Sequence, residues 1–195
     1  QAARPRVNYA GRIMSNDAMQ SIRRTCVVGA GTIGSLFAGH FGSVATSTVL
    51  TRRAEHADRL NAEGLRVSGK SDIHSDIVAS TDPAELGEVD LVVIATKATA
   101  VEASARALQG HFPGATVMTV QNGLGCEDVV ARYGAWPVIS SVTFMSGRRH
   151  GDSHVEYELD TATWLGPWAG GSATFERAQA VERLITASGL KAKAF

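Results

Sequence analysis

The sequence of 195 residues is short of cysteine, of excess charge of either sign and of long apolar runs, and each shortage excludes a class of protein. Its two cysteines, Cys26 and Cys126, lie far apart without a C-x-x-C spacing. Neither a disulfide-stapled secreted scaffold nor a redox dithiol fits, and a reducing, cytoplasmic setting is expected. Lys+Arg and Asp+Glu number 19 each, so the formal net charge is zero and nothing draws the chain as a whole to nucleic acid or an anionic membrane. The longest apolar runs, such as Leu91 to Ala95, are strand-sized and fall well short of the roughly 18 residues of a membrane helix. No G-x-S-x-G elbow marks an acyl-transfer serine. His150 and His154 are separated by a glycine-containing loop, and no acidic or cysteine cluster completes a set of ligands, so no metal is expected.

What is present is glycine, at 20 residues, above the usual share of about 7%. Residues 1–22 carry Arg4, Arg6 and Arg12 without an apolar stretch, and Met14 and Met19 are internal. They read as a disordered or non-native extension, and the domain is assigned to 23–195. From Arg24 a regular alternation begins. Thr25 to Val28 reads as a buried parallel strand, and Ile33, Leu36, Phe37 and Phe41 at helical spacing predict a helix directly after it. Ser47 to Thr51 reads as a strand and Ala54 to Glu63 as a helix. Leu65 to Ser68 and Ile73 to Val78 read as a small hairpin. Leu91 to Ala95 and Ala115 to Val120 are further apolar strands, followed by helices near Ala98 to Gln109 and Glu127 to Tyr133. This rhythm predicts an α/β fold, a Rossmann-type doubly wound, mostly parallel sheet. Val138 to Phe144, His154 to Leu159 and Thr163 to Leu165 are expected to extend it as antiparallel strands. A last amphipathic helix is expected over Ala173 to Ala187.

The strongest local signal is Gly29-Ala-Gly31-Thr32-Ile33-Gly34, a G-x-G-x-x-G string between a predicted strand and a predicted helix. The first glycine permits the tight turn, the second lets the backbone approach a pyrophosphate, and the third allows helix and strand to pack closely. The helix N-terminus adds amide donors and the positive end of its dipole. About 20 residues on, where a binder of NAD places an acidic ribose ligand, the sequence has Arg52 and Arg53. A guanidinium there suits a 2′-phosphate, so NADPH is the expected cofactor, with Arg52 the better candidate and a pair of solvated arginines the alternative. Gly64 to Ser71 also satisfies the phosphate-loop pattern G-x-x-x-x-G-K-S. Its middle reads as extended and no helix follows Lys70, so it is taken as a hairpin turn. Lys97 and Asn122 follow two apolar strands at their carboxyl ends, where open α/β sheets place a ligand. Each residue alone is compatible with an ordinary loop role. Cys126 is expected to be a small buried residue.

Together, Val-Val-Gly29-Ala-Gly-Thr-Ile-Gly34, Leu50-Thr-Arg52, Leu-Val-Val-Ile-Ala-Thr-Lys97, Gln121-Asn122-Gly-Leu-Gly125, Val142-Thr-Phe and Leu165-Gly166 resemble the ketopantoate reductase family. The resemblance implies an NADPH-binding domain joined to a helical substrate domain that lies outside this chain. It implies that Gly29, Gly31, Thr32, Ile33 and Gly34 hold the cofactor's pyrophosphate and Arg52 its 2′-phosphate. Lys97 and Asn122 are implied as catalytic residues beside the nicotinamide and a small 2-oxo acid substrate. The family's proton-donating lysine belongs to the second domain, so the chain by itself is expected to bind NADPH with little turnover. Two alternatives stay open: a non-catalytic dinucleotide-sensing module, or a reductase of another 2-oxo acid. Neither a nucleic-acid nor a membrane partner is expected, and a homo-oligomer is an open possibility.

Overall fold

The computed structural model describes residues 21–195. The extension expected at residues 1–22 lies outside these apart from Ser21 and Ile22, and Ile22 packs against the core. The first strand, β1 (Arg24–Val28), is followed directly by α1 (Thr32–Phe41), then β2 (Thr46–Leu50) and α2 (Ala54–Glu63). Next come three short strands, β3 (Leu65–Gly69), β4 (Ile73–Ser75) and β5 (Val78–Ser80). The unit then repeats as β6 (Leu91–Ile94), α3 (Val101–Ala107), β7 (Thr116–Thr119), α4 (Cys126–Ala131) and β8 (Val138–Thr143). The chain closes with β9 (Ser146–Arg149), β10 (His154–Leu159), β11 (Thr163–Pro167), α5 (Phe175–Ala187) and β12 (Ala192–Ala194).

Eight strands form one twisted layer in the order β12-β11-β8-β7-β6-β1-β2-β5. Pairing is parallel from β5 to β8 and antiparallel only between β8 and β11, with β12 parallel to β11. The mostly parallel α/β layer with antiparallel additions near its C-terminal end is therefore the architecture the rhythm predicted. Three details differ. The strand Val138–Thr143 is parallel to β7, because α4 forms a full crossover between them. His154–Leu159 does not extend the main sheet but joins a second, four-stranded sheet, β4-β3-β10-β9. The stretch read as one strand from Ile73 to Val78 splits, with Ile73–Ser75 completing the small hairpin and Val78–Ser80 becoming the edge of the main sheet. Thr174 caps α5 by accepting from the Arg177 amide, which starts that helix at Phe175 and leaves Phe175 exposed.

Alternating side chains divide the core into two. Val27, Leu91 and Val93 pack with Phe37, Phe41 and Ile185 on the α1 and α5 side, while Cys26, Val28, Val92 and Ile94 pack with Val101, Leu108 and Val130 beneath α3 and α4. The small sheet lies on the outer side of α1, so that helix is covered by strands on two faces. Every residue from Gly34 to Phe41 is buried as a result. At Gly39 the layers lie in close contact: a Cβ there would stand 2.5 Å from Val67 Cγ2.

The sheet order reverses at β1. The chain leaves it toward β2 on one side and returns to β6 on the other, so the carboxyl ends of β1 and β6 flank a crevice with no connection crossing it.

Candidate functional site: an open shelf at the switch point

β1 ends where Gly29 turns the chain with φ +94, and a Cβ there would meet Thr96 Cγ2 at 2.6 Å. Gly34 sits so close beneath the turn that a Cβ would stand 1.9 Å from the Gly29 carbonyl oxygen. Gly31, between them, has nothing within 4 Å of the position a Cβ would take. The outer two glycines are thus required by protein packing, and the middle one by nothing among the described residues. It opens on a space a ligand can enter. The amides of Thr32, Ile33 and Gly34 begin α1 without an acceptor among the described residues, no side chain caps the helix, and no acidic residue occupies its first turn. Those amides form a cradle for an anion of pyrophosphate size.

Arg52 follows β2 at the same edge of the sheet. It is exposed and has no hydrogen-bond or ion-pair partner among the described residues. Arg53, the next residue, is held instead by Asp152, with Nη2 at 2.6 Å from Oδ2. The two arginines that look equivalent in sequence are therefore in different states. Burial works against the Asp152 carboxylate, yet the donated hydrogen bond from Arg53 and the charges of His56, Arg53 and Arg149 hold it below the usual carboxylate range.

On the other side of β1, Lys97 stands three residues past the last residue of β6 and Asn122 three past that of β7, on neighbouring parallel strands. Both side chains are exposed. The buried Gln121 holds the two strand ends together: its Nε2 donates to the Ile94 carbonyl at 2.6 Å and to the Thr96 carbonyl at 2.9 Å. Glu127, in the first turn of α4, accepts from Thr119 Oγ1 and Ser140 Oγ at 2.7 Å each and so ties the Asn122 loop to the sheet. Sequence reasoning assigned no role to Gln121 or Glu127. Their partners are main-chain and hydroxyl groups on other strands, which leave no local mark. Gly29, Gly31, Thr32, Ile33, Gly34, Arg52, Lys97 and Asn122 all lie along the carboxyl edge of the adjacent strands β2, β1, β6 and β7.

The other sequence candidates are elsewhere. Gly69 to Ser71 form the turn between β3 and β4, not the start of a helix, and Ser71 Oγ faces His40 Nε2 at 3.1 Å. His150 and His154 stack at 4.8 Å in the β9–β10 region, with Nε2 of His150 on Glu156 and Nε2 of His154 on Ser68. Cys126 is buried, and desolvation followed by the Glu127 charge pushes its thiol up, which disfavours a thiolate. Desolvation pushes the Cys26 thiol up to about 12. A cleft of about 490 Å³ lies at the opposite, amino edge of the sheet, between Arg24, Asp90, Thr116 and Arg177. The glycine turn is a shelf open to solvent and not part of that cleft. No helix among the described residues is long and apolar enough to cross a membrane.

The doubly wound sheet, the crevice at its switch point and the glycine turn define a dinucleotide-binding domain of the Rossmann class. The chain belongs to the ketopantoate reductase family, since residues 25–170 match the model of ketopantoate reductase PanE/ApbA. A 2-dehydropantoate 2-reductase of Halobacterium salinarum is 35% identical over 137 residues, which cover 68% of this chain and 44% of that protein. One of Pyrococcus abyssi is 28% identical over 149 residues, covering 76% of this chain and 49% of that one. The solved 2-dehydropantoate 2-reductase of Geobacter metallireducens superposes with a TM-score of 0.76 at 26% identity, over 88% of this chain and 57% of the other. The chain thus spans about half the length of the curated relatives it matches.

Proposed function

We propose that this chain is the NADPH-binding part of a 2-oxo acid reductase, and that its substrate is 2-dehydropantoate, reduced to pantoate. The observation that carries the reading is the unfilled space over Gly31 on the same sheet edge as Lys97 and Asn122. The residues fit such a cofactor: amides at Thr32, Ile33 and Gly34 that have no acceptor among the described residues for the pyrophosphate, and Arg52, without a partner among the same residues, for the 2′-phosphate. When bound, the nicotinamide supplies the hydride for the C2 carbonyl of the acid. The chain's own part is orientation and charge. The Lys97 ammonium and the Asn122 amide are donors toward the substrate's carboxylate and carbonyl oxygens, and Gln121 keeps their strand ends in register. Because the relatives are about twice as long, protonation of the alkoxide is assigned to a group outside these residues, and the chain alone is expected to bind cofactor with little turnover.

Fluorescence titration tests the assignment. The wild type is expected to prefer NADPH over NADH by about ten- to a hundredfold, the worth of one charge-assisted contact, and Arg52→Ala to lose that preference. Equal affinity of the wild type for both cofactors overturns the choice of NADPH. In a turnover-competent form of the protein, Lys97→Ala is expected to lower kcat/KM for 2-dehydropantoate by about the same factor.

A further inference from the structure

One hairpin touches both ends of the shelf. β9 runs beside the first turn of α1, so closely that a Cβ on Gly147 would stand 3.2 Å from Thr32 Cγ2. The turn from β9 into β10 then reaches the start of α2. There Asp152 Oδ1 accepts from Arg53 Nη2 at 2.7 Å and from Arg149 Nη2 at 2.6 Å. Its main-chain carbonyl accepts from Nε2 of the buried His56 at 2.9 Å. The other nitrogen of His56 faces Thr51 Oγ1 at 3.5 Å, and Thr51 immediately precedes Arg52. The same hairpin is fastened again where α2 gives way to β3: the Arg66 amide donates to the Ser153 carbonyl at 2.8 Å, and Ser153 Oγ donates to Glu63.

Guanidinium groups from Arg52, Arg53 and Arg149 therefore belong to one corner of the molecule, and a single carboxylate binds two of them. We propose that Asp152 is a positioning residue for cofactor choice: by holding Arg53 and Arg149 and buttressing the β2–α2 corner, it leaves Arg52 as the group presented to the 2′-phosphate. The proposal rests on the reading of Arg52 given above. Its physical basis is the cost of disorder. Long arginine side chains free to swing can each contact a phosphate only by giving up rotamer freedom, and two of them next to Arg52 would compete for the same oxygens. Once paired, Arg53 and Arg149 still contribute positive potential, while the geometry of recognition is set by one fork. The arginines of these pairs are well exposed and Asp152 partly so, and partly exposed ion pairs add little to stability, so replacing the carboxylate by an amide is expected to leave the fold while changing the corner.

The test is a set of NADPH and NADH titrations on the wild type, Asp152→Asn, Arg52→Ala and the double variant, each with its melting curve. Asp152→Asn is expected to weaken NADPH binding about tenfold, the scale of one misplaced charge-assisted contact, with NADH binding little changed. In the Arg52→Ala background it is expected to have no further effect on the NADPH:NADH ratio. NADPH affinity that stays the same or rises in Asp152→Asn overturns the proposal, as does an equal loss in the Arg52→Ala background, which would mean that Arg53 and Arg149 act on the phosphate themselves. An Arg52→Ala ratio equal to that of the wild type overturns the underlying reading of Arg52, a failure distinct from the other two. If Asp152→Asn melts early, the paired substitution Arg53→Gln and Arg149→Gln breaks the same contacts from the other side. With neither guanidinium left to compete, it is expected to keep the preference for NADPH through Arg52, and loss of that preference, which would mean that Arg53 and Arg149 bind the phosphate themselves, refutes the role of Asp152.

Discussion

A methyl group added at Gly31 and one added at Gly34 should have opposite consequences, although the residues are one turn apart. At Gly34 the new Cβ would stand 1.9 Å from a backbone oxygen, which no side-chain rotation relieves. Gly34→Ala is expected to cost about 1 to 3 kcal/mol or more, read as a lower melting temperature, because the helix must move off the strand. At Gly31 the same methyl meets no atom of the described residues, and φ of −76 suits alanine, so Gly31→Ala is expected to change stability by less than about 1 kcal/mol. Its effect should appear in the titration, as a loss of dinucleotide affinity, since the methyl occupies the space over the helix N-terminus. Undiminished binding by a folded Gly31→Ala protein would refute the assignment of this turn. These glycines were legible in the sequence because their roles are local: strand, turn and helix follow within a few residues. The same holds for Lys97 and Asn122, placed at the strand ends by the apolar runs before them. Asp152 was not legible, since it meets Arg53 across 99 residues of chain, and neither its neighbours nor its spacing records that contact. Gln121 was visible as part of a string, but its function is to bond main-chain oxygens of another strand, which any residue type there would present.

At the scale of elements, the sequence pattern identified most helices and strands and was silent about how strands pair. Apolar alternation records that a strand is covered, not which neighbour it has or in which direction that neighbour runs. Val138–Thr143 was therefore read as antiparallel although α4 delivers it parallel, and His154–Leu159 was assigned to a sheet it does not join. The spacing of apolar residues in α1 likewise showed one buried face. The second is made by Gly39 and His40, which the small sheet covers. His40 is almost wholly buried: Nδ1 donates to the Ser188 carbonyl at 2.8 Å, Nε2 faces Ser71 Oγ, and Tyr157 stands edge-on to the ring. Burial lowers its pKa, with the Ser188 carbonyl and the more distant Asp160 opposing in part. The sign of the linkage follows. Below the ordinary histidine value of about 6.5 the unfolded chain takes up a proton that the folded chain resists, so stability falls as pH falls through that value. The wild-type melting temperature is expected to drop between pH 7 and pH 5, and His40→Gln to flatten the drop. A residual slope should remain from His56, whose pKa burial also lowers. Parallel curves for the two proteins would exclude His40 as the source.

For the whole molecule, the relevant quantity is charge placement and not charge total. The formal net charge is zero, so a polyanionic cofactor gains nothing from the protein's overall field, and any attraction must come from a local arrangement of groups. The shelf provides one. Arg52, Arg53 and Arg149 collect at one end of it with Asp152 as their near counter-charge, and the acid-free first turn of α1 lies at the other. An attraction of this range is screened strongly, because the Debye length shrinks from about 30 Å at 0.01 M salt to about 3 Å at 1 M. NADPH and NADH share the pyrophosphate and differ in the 2′-phosphate, so salt should separate them. Raising ionic strength is expected to weaken NADPH binding more steeply than NADH binding and to narrow the preference toward the value that remains for a direct fork contact. Arg52→Ala should bring the two salt slopes together. If the slopes already coincide in the wild type, the 2′-phosphate is not read by charge at this corner, and discrimination would have to come from the shape of the shelf.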